Sequence, residues 1–227
     1  MDTHNIVRFL TELSENNHKT WFDQNRSWYQ DVKADFFDFT QQLIARVSEF
    51  DLRCAGLTVS DCTYRINRDI RFSADKRPYK THMGAFVCPK GKKSGYGGYY
   101  FHIEPTGQEY LNSHLLAIGA YCPNKEELQS IREEIFDNTA DFKRNMAQAK
   151  GFALDSYDKL KKAPAGFPAD FADIDLLKHK SYCLVKPLTG KMLQSEHLLD
   201  EVCEQFKLGH AFNEQLNRAI AYAHNEE

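Results

Sequence analysis

Long hydrophobic runs are missing from this sequence: no apolar stretch approaches the ~20 residues that a membrane-spanning helix requires. The N-terminal residues, MDTHNIVRFL, lack the basic segment and following apolar stretch of a signal peptide. The six cysteines are widely scattered, with no CxxC pair and no zinc-like spacing, which in a chain of 227 residues favours free thiols in a reducing compartment. We therefore expect a cytoplasmic protein that does not associate with a membrane.

The motifs of the common cofactor and hydrolase sites are also absent. The chain contains no P-loop, no GxGxxG, no GxSxG and no HExxH. We therefore predict neither a cofactor nor a metal site, and the sequence leaves open whether the protein is an enzyme.

The net charge is small, but it is unevenly distributed along the chain. The formal net charge is −3, which by itself does not predict nucleic-acid binding. Residues 62–93, however, contain nine basic side chains and two aspartates, a local charge of +7 that leaves −10 on the remainder. Such asymmetry can focus a positive field on one patch of an acidic body. The basic segment is therefore the first place to look for a site.

Composition and length favour a single domain over residues 1–227, because hydrophobic and charged residues make up an ordinary 42% and 27% of the chain. Near the N-terminus, apolar residues recur at helical spacing. The pattern predicts a helix over residues 3–13, with Thr3 as its N-cap, and a longer helix over residues 19–50.

Helical spacing returns in the second half of the chain. Asn124 and Glu127 form a capping-box pattern that predicts the start of a helix. A second helical piece is predicted over residues 140–149. The last third, over residues 193–223, is predicted to be helical with a break at Gly209.

Runs rich in β-branched and aromatic residues predict strands between these helices. They lie at residues 57–66, 84–88, 99–104, 115–121 and 181–185, with a loop-rich stretch over 151–175. Tight Gly- and Pro-containing turns favour antiparallel pairing of such strands. We therefore predict an α+β fold: a central, mainly antiparallel sheet flanked by N-terminal and C-terminal helices.

The densest group of functional side chains runs from residue 64 to residue 82, YRINRDIRFSADKRPYKTH. A guanidinium binds carboxylate or phosphate through two parallel hydrogen bonds. Turn-forming Ser73 and Asp75, together with Pro78, favour a rigid loop that presents such groups. We therefore predict an anion-binding site for a phosphate- or carboxylate-bearing small molecule. Its predicted ligand-binding residues are Arg65, Arg68, Arg71, Lys76, Arg77 and Lys80.

Acid–base groups lie in and near the same segment. Asp69 and Asp75 lie inside the segment. His82 is its last residue, and histidine changes its charge near neutral pH. His102 and Glu104 stand two residues apart on a predicted strand, so both side chains point to one face and can form an acid–base pair. If the protein is an enzyme acting on its anionic ligand, these five residues are its candidate catalytic groups.

Two other interpretations of the basic segment stay open. Tyr64, Phe72 and Tyr79 are interleaved with its cations, an arrangement that can follow a nucleic-acid backbone and stack on bases. Alternatively, Asp69 and Asp75 tie the arginines into a structural ion-pair network that binds no ligand. Six cations against two aspartates leave an excess of positive charge, which favours an outside anion over the purely structural network.

The same segment also carries a resemblance to a known family. RDIRFSADKRPYKT, at residues 68–81, is similar to the R-D-x-R-F-S-x-D-K-x-P-Y-K-T signature of a widespread, mostly bacterial family known as the domain of unknown function 2461 family. The agreement continues in NNHKTWF at residues 16–22, in YYFHIEP at 99–105 and in IGAY at 118–121. The resemblance covers essentially the whole chain. It supports the predicted fold and assigns no activity.

Overall fold

The computed structural model of the protein describes residues 1–105, 107, 111 and 113–226. Its sheet consists of β1 (Met83–Val87), β2 (Gly98–Ile103), β3 (Leu115–Ala120), β4 (Ala153–Leu154) and β5 (Tyr182–Pro187). The strands lie in the order β1-β2-β3-β5-β4, and neighbours pair antiparallel. The predicted antiparallel sheet is confirmed, and the short β4, inside the expected loop-rich stretch, adds an edge strand.

Helices precede and follow this sheet. Those before it are α1 (Thr3–Glu15), α2 (Lys19–Gln24), α3 (Arg26–Ser48) and α4 (Val59–Cys62). Those after β3 are α5 (Lys125–Asp137), α6 (Thr139–Gln148), α7 (Ile174–Leu177), α8 (Gly190–Leu193), α9 (Leu198–Leu208) and α10 (His210–Ala223). The predicted α+β class, with helices at both ends of the chain, is confirmed.

The first face of the sheet is covered by helices from both ends of the chain. Phe101 of β2 packs on Phe39 of α3, with ring centroids 4.9 Å apart, and Tyr99 packs on Phe206 of α9 at 5.5 Å. Ile118 of β3 reaches the junction of α9 and α10, where a Cβ on Gly209 would stand 2.5 Å from its Cδ1. Gly209 therefore ends α9, as predicted, and also allows this close approach.

The second face of the sheet is less completely covered. Because side chains alternate along a strand, Tyr100 and His102 point away from the helices that contact Tyr99 and Phe101. In the register of the sheet, Gly84 of β1 stands opposite His102 and Phe86 opposite Tyr100. Phe86 and Tyr100 are only half-buried, whereas His102 is fully buried. Polar side chains of this second face belong to the candidate site.

The strand predicted at residues 57–66 is wrong. Residues 59–62 form α4, because Thr58 and Asp61 make a capping box that satisfies amide groups at its first turn. Asp61 accepts a hydrogen bond from Thr58 N at 2.8 Å. Only Thr63 keeps a strand-like contact, an isolated bridge to Ala85. Local capping therefore outweighs the β preference of the branched residues.

The helix predicted over residues 19–50 is broken near its start. Asn25 ends α2, and its backbone N–H and its side-chain amide both donate to the carbonyl of Trp21. Such local side-chain hydrogen bonds compete with a continuous helix. The predicted N-cap of α1 is also displaced by one residue: Asp2 Oδ1 accepts from Asn5 N, whereas the Thr3 hydroxyl donates to Leu193 O.

The remaining sequence-based expectations concern helices and thiols. The helix predicted over 193–223 is divided into α9 and α10 and begins later, at Leu198. The capping box of Asn124 and Glu127 is present at α5. All six cysteines are free thiols, as expected. None of the helices within the described ranges is long and apolar enough to cross a membrane.

Candidate functional site

The basic loop, residues 64–82, is held together by a short ladder at its base. Arg68 N donates to Pro78 O at 2.9 Å, and Lys80 N donates to Ile66 O at 2.8 Å. Asn67 and Tyr79 form an isolated antiparallel bridge between these two bonds. The two ends of the loop therefore run side by side, and the residues between them form its tip.

Tyr79 anchors this loop to the N-terminal helices. Its ring stacks on Phe22 of α2, with centroids 4.0 Å apart. Asn17, just before α2, donates to Tyr79 O at 2.9 Å and accepts from Tyr79 N at 3.0 Å. Buried aromatic packing and a paired backbone amide fix the position of the loop.

Asp75 draws two of the predicted ligand-binding residues together. Its Oδ2 accepts from Arg68 Nη1 at 2.6 Å and from Arg77 Nη2 at 2.9 Å. Hydrogen bonds from the Arg77 side chain and backbone, reinforced by Arg68, hold the pKa of Asp75 well below its usual range. The carboxylate is therefore ionised at neutral pH and is shared by two guanidinium groups.

A second pair occupies the tip of the loop. Arg71 binds Asp69 through two parallel hydrogen bonds, Nε to Oδ1 at 3.0 Å and Nη2 to Oδ2 at 2.7 Å. Lys76 Nζ donates to Ile70 O at 3.0 Å. The ring of Phe72 between them is 95% exposed. Arg71 and Lys76 therefore do not converge with the other cations.

A groove of about 240 Å³ opens along the base of the loop. Lys80 is half-buried in it, and its Nζ donates to Arg65 O at 2.9 Å. Burial, and secondarily the charge of Arg65, lower the pKa of Lys80. The residues that line this basic groove are Arg68, Asp75, Arg77, Tyr79, Lys80, Thr81 and His82.

His82 connects the groove to the second face of the sheet. Its ring lies 5.1 Å from the ring of His102, centroid to centroid, at an interplanar angle of 34°. His102 Nε2 is 3.2 Å from Glu104 Oε2, and His102 Nδ1 is 2.9 Å from Tyr100 Oη. Tyr100, His102 and Glu104 therefore form a hydrogen-bonded chain on one face of β2 and its C-terminal extension, and the predicted shared orientation of His102 and Glu104 is confirmed.

The surroundings shift the ionisation of this cluster. Burial, and next the neighbouring His102, lower the pKa of His82 to about 4. Burial and then His102 also lower the pKa of His114, whose Nδ1 accepts from Glu104 N at 3.2 Å. Burial raises the pKa of Glu104, but hydrogen bonds from His102 and from Leu111 N outweigh this effect and lower the pKa below its usual value. At neutral pH the cluster therefore holds an ionised Glu104 and a neutral His82.

The sequence-predicted site residues divide into three groups. Arg68, Arg77, Lys80, Asp75 and His82 line the groove. His102 and Glu104 lie behind His82, and the remaining candidates, Arg65, Arg71, Lys76 and Asp69, lie outside the groove.

Sequence reasoning missed Tyr100 as a member of the cluster. The alternation that paired His102 with Glu104 places Tyr100 on the same face, so that signal was available. His114 was also missed, because its contact with Glu104 N depends on the pairing of β2 with β3. Within the described ranges, no three His, Cys, Asp or Glu side chains are arranged to hold a metal ion.

A protein-family model described as conserved hypothetical protein (DUF2461) matches residues 5–214 of the chain. The matched region includes the basic loop and the strands that carry the histidine cluster. No curated protein and no solved structure matches the chain.

Proposed function

The chain belongs to the DUF2461 family of conserved hypothetical proteins, and we propose that it binds a small phosphate- or carboxylate-bearing ligand in the basic groove. The residues that line the groove support this proposal. Arg68, Arg77 and Lys80 face the groove, and Asp75 is the one carboxylate among the described residues that line it. The described lining of the groove therefore carries more positive than negative charge.

Arg68 retains hydrogen-bonding capacity for such a ligand. Within the part of the chain that the structure describes, both of its side-chain hydrogen bonds use Nη1, to Asp75 Oδ2 and to Arg77 O. A guanidinium carries five N–H donors on three nitrogens. Nε and Nη2 of Arg68 are thus the donors that a carboxylate or phosphate would engage, and the bond to Asp75 holds the group in place for them.

Lys80 is the second residue that would attract the anionic ligand. An ammonium has three donors, and the described hydrogen bond of Lys80 Nζ, to Arg65 O, uses one of them. Burial and the charge of Arg65 lower the pKa of Lys80, so its charged form is less strongly favoured than in water. A bound anion would restore the favourable environment of that charge, because opposite charges at short range stabilise the ionised form.

The size of the groove limits the ligand. Sites for drug-sized molecules enclose about 300–1,000 Å³, whereas this groove encloses about 240 Å³. It accommodates a small metabolite or the anionic end of a larger one. The ligand class is therefore a small molecule with a terminal phosphate or carboxylate.

A thermal-shift screen with phosphate- and carboxylate-bearing compounds tests this function, since a ligand that binds only the folded protein raises its melting temperature. We expect at least one anion to stabilise the wild type and to lose its effect in Lys80→Met. Lys76→Met is the matched control, because Lys76 lies in the same loop but outside the groove. No stabilisation across a broad anionic panel would refute the proposal.

Nucleic-acid binding is a second candidate, supported by the exposed aromatic rings of the loop. Phe72 is 95% exposed beside Arg71, and Tyr64 is 46% exposed with the ammonium groups of Lys80 and Lys92 within 6 Å of its ring centroid. Such rings can stack on bases while the cations contact phosphates. Fluorescence anisotropy with single-stranded and duplex oligonucleotides at low salt decides it: a flat titration excludes this candidate, and binding that weakens steeply with salt supports it.

A purely structural role is supported by the two Asp–Arg pairs of the loop. Asp75 is already shared by Arg68 and Arg77, and Asp69 is paired with Arg71. If these pairs serve stability alone, Arg68→Ala lowers the free energy of unfolding and leaves anion affinity unchanged. If the groove binds an anion, the same substitution also weakens that binding.

A further inference from the structure

The groove ends at His82, and behind His82 lies the buried chain of Tyr100, His102 and Glu104. We propose that His82 is the general acid–base group of the groove, exchanging a proton with an anionic ligand bound beside Lys80, and that His102 is the residue that positions it. This inference rests on the proposed anion site and adds a chemical role to it. It gives the protein a role in proton transfer in addition to the binding of an anion.

The geometry of His102 is fixed on both sides of its ring. Glu104 is ionised, so it accepts the Nε2–H of His102 across 3.2 Å. On the other side of the ring, the Tyr100 hydroxyl lies 2.9 Å from His102 Nδ1. Hydrogen bonds at both nitrogens fix the orientation of the His102 ring, and the His82 ring packs against it with centroids 5.1 Å apart. His102 therefore presents a fixed surface to the His82 imidazole at the groove.

Gly84 provides the space for this arrangement. A Cβ at Gly84 would stand 2.5 Å from Tyr100 Oη, so any larger residue would collide with the phenol ring where it lies across β1. Gly84 is also the residue paired with His102 in the register of the sheet. The hydrogen bond between Tyr100 and His102 thus depends on a glycine at this place in β1.

Glu104 provides a second, independent indication of function. Its side chain is fully buried, and Oε2 accepts from His102 and, at 2.9 Å, from Leu111 N. Oε1 is buried without a hydrogen-bond partner in the part of the chain that the structure describes. A buried ionised carboxylate is costly unless it is hydrogen-bonded. A buried oxygen without a partner among the described residues needs an explanation, and a catalytic role is one of them.

The charges that face His82 determine the direction of proton exchange. Lys80 and Arg68 approach from the loop, and His102 and Glu104 approach from β2 and its extension. Burial, then His102, and then Lys80 and Arg68 lower the pKa of His82, whereas Glu104 acts in the opposite direction. The net effect keeps His82 neutral at neutral pH, so it is a proton acceptor. A dianion beside Lys80 changes the charge that faces His82 from positive to negative, which favours the protonated imidazolium. Anion binding is therefore coupled to proton uptake.

The chemical step is a proton transfer. An O–H bond of the ligand, or of a water molecule held beside it, breaks heterolytically, and its proton forms an N–H bond with the imidazole of His82. The electron pair stays on the oxygen, where Lys80 and Arg68 stabilise the negative charge. In the reverse direction, the imidazolium returns the proton to an oxygen. No oxidant, reductant or further reactant is needed.

Sulfate is the probe for a calorimetric test, because it mimics phosphate and does not itself titrate between pH 5 and 8. Titrations near about pH 5.5 in two buffers of different ionisation enthalpy give the number of protons taken up on binding. We expect net uptake by the wild type, and a sulfate affinity that falls by up to about tenfold for each unit by which the pH is raised. In His82→Gln the uptake and this pH dependence should both be lost.

The positioning role of His102 is tested in the same way with Tyr100→Phe, which removes only the hydroxyl that holds His102 Nδ1. This variant should still bind sulfate but with an altered proton uptake, a readout that loss of packing would not change. Sulfate binding without proton uptake in the wild type, or uptake that persists in His82→Gln, would overturn the inference and leave the anion site intact. Absence of any sulfate binding would instead refute the proposed function and, with it, the inference.

Discussion

The imidazole rings of His82 and His102 lie 5.1 Å apart at the point where the basic groove meets the second face of the sheet. One ring lines the groove, and the other is fully buried between Tyr100 and Glu104. A charge that enters the groove is therefore separated from a buried ionised carboxylate by these two rings. Binding, protonation and stability should be linked in this protein.

The first prediction concerns the pH dependence of stability. His82 has a pKa of about 4 in the folded protein against 6.5 for an unperturbed histidine. Between these values the unfolded chain binds a proton that the folded one excludes, so stability falls as the pH is lowered from 6.5 towards 4 and is fully present above 6.5. Urea unfolding across this interval should show the decline, and His82→Gln should make it shallower. His114 and His179, whose pKa values burial also lowers, contribute to the decline that remains.

Replacing the exposed His4 of α1 by Gln is the control for the loss of one histidine. Its curve should keep the slope of the wild type. An equal slope in His82→Gln and the wild type would contradict the buried, neutral state of His82.

The second prediction concerns Gly84. In Gly84→Ala the new methyl group meets the Tyr100 hydroxyl and must displace it, which should lower the free energy of unfolding by about 1–3 kcal/mol. Gly190→Ala is the matched control, because a Cβ at Gly190 meets nothing within 4 Å. That substitution should be neutral or stabilise by up to about 1 kcal/mol. Equal effects of the two substitutions in chemical denaturation would show that Tyr100 does not occupy the space above Gly84.

The third prediction concerns the anchor of the loop. Tyr79→Ala removes the ring stacked on Phe22 and should cost about 3–5 kcal/mol. Tyr79→Phe keeps the ring and should change stability by no more than about 0.5 kcal/mol. Thermal or urea unfolding measures both, and a large loss in Tyr79→Phe would mean that the hydroxyl, and not the stacking, holds the loop.

Local sequence patterns were sufficient for much of the fold. Runs rich in β-branched and aromatic residues predicted β1, β2, β3 and β5, and helical spacing predicted the terminal helices. The pattern failed where a capping interaction competed with it: Thr58 and Asp61 begin a helix inside a β-branched run, and Asn25 divides a long helix. The spacing of Thr58 and Asp61 is that of a capping box, so this signal was available in the sequence. The break at Asn25 depends on a side-chain hydrogen bond that residue preferences do not encode.

The candidate site was less predictable than the fold. The sequence indicated a basic, rigid loop, and the shared face of His102 and Glu104 followed from alternation. The convergence of Arg68 and Arg77 on Asp75, away from Arg71, depends on the ladder that brings Tyr79 alongside Asn67. The contact between His82 and His102 depends on the register of β1 and β2, which no local pattern determines.

The central claim is that the groove, and not the whole basic loop, binds an anion. Calorimetric titration of sulfate into the wild type, Lys80→Met and Lys76→Met at constant ionic strength tests it most directly. Both variants lose one positive charge, but only Lys80 lines the groove. We predict that Lys80→Met weakens sulfate binding at least about tenfold, the cost of one charge-assisted hydrogen bond, while Lys76→Met stays close to the wild type. Equal weakening in both variants, or no binding by the wild type, would contradict the account.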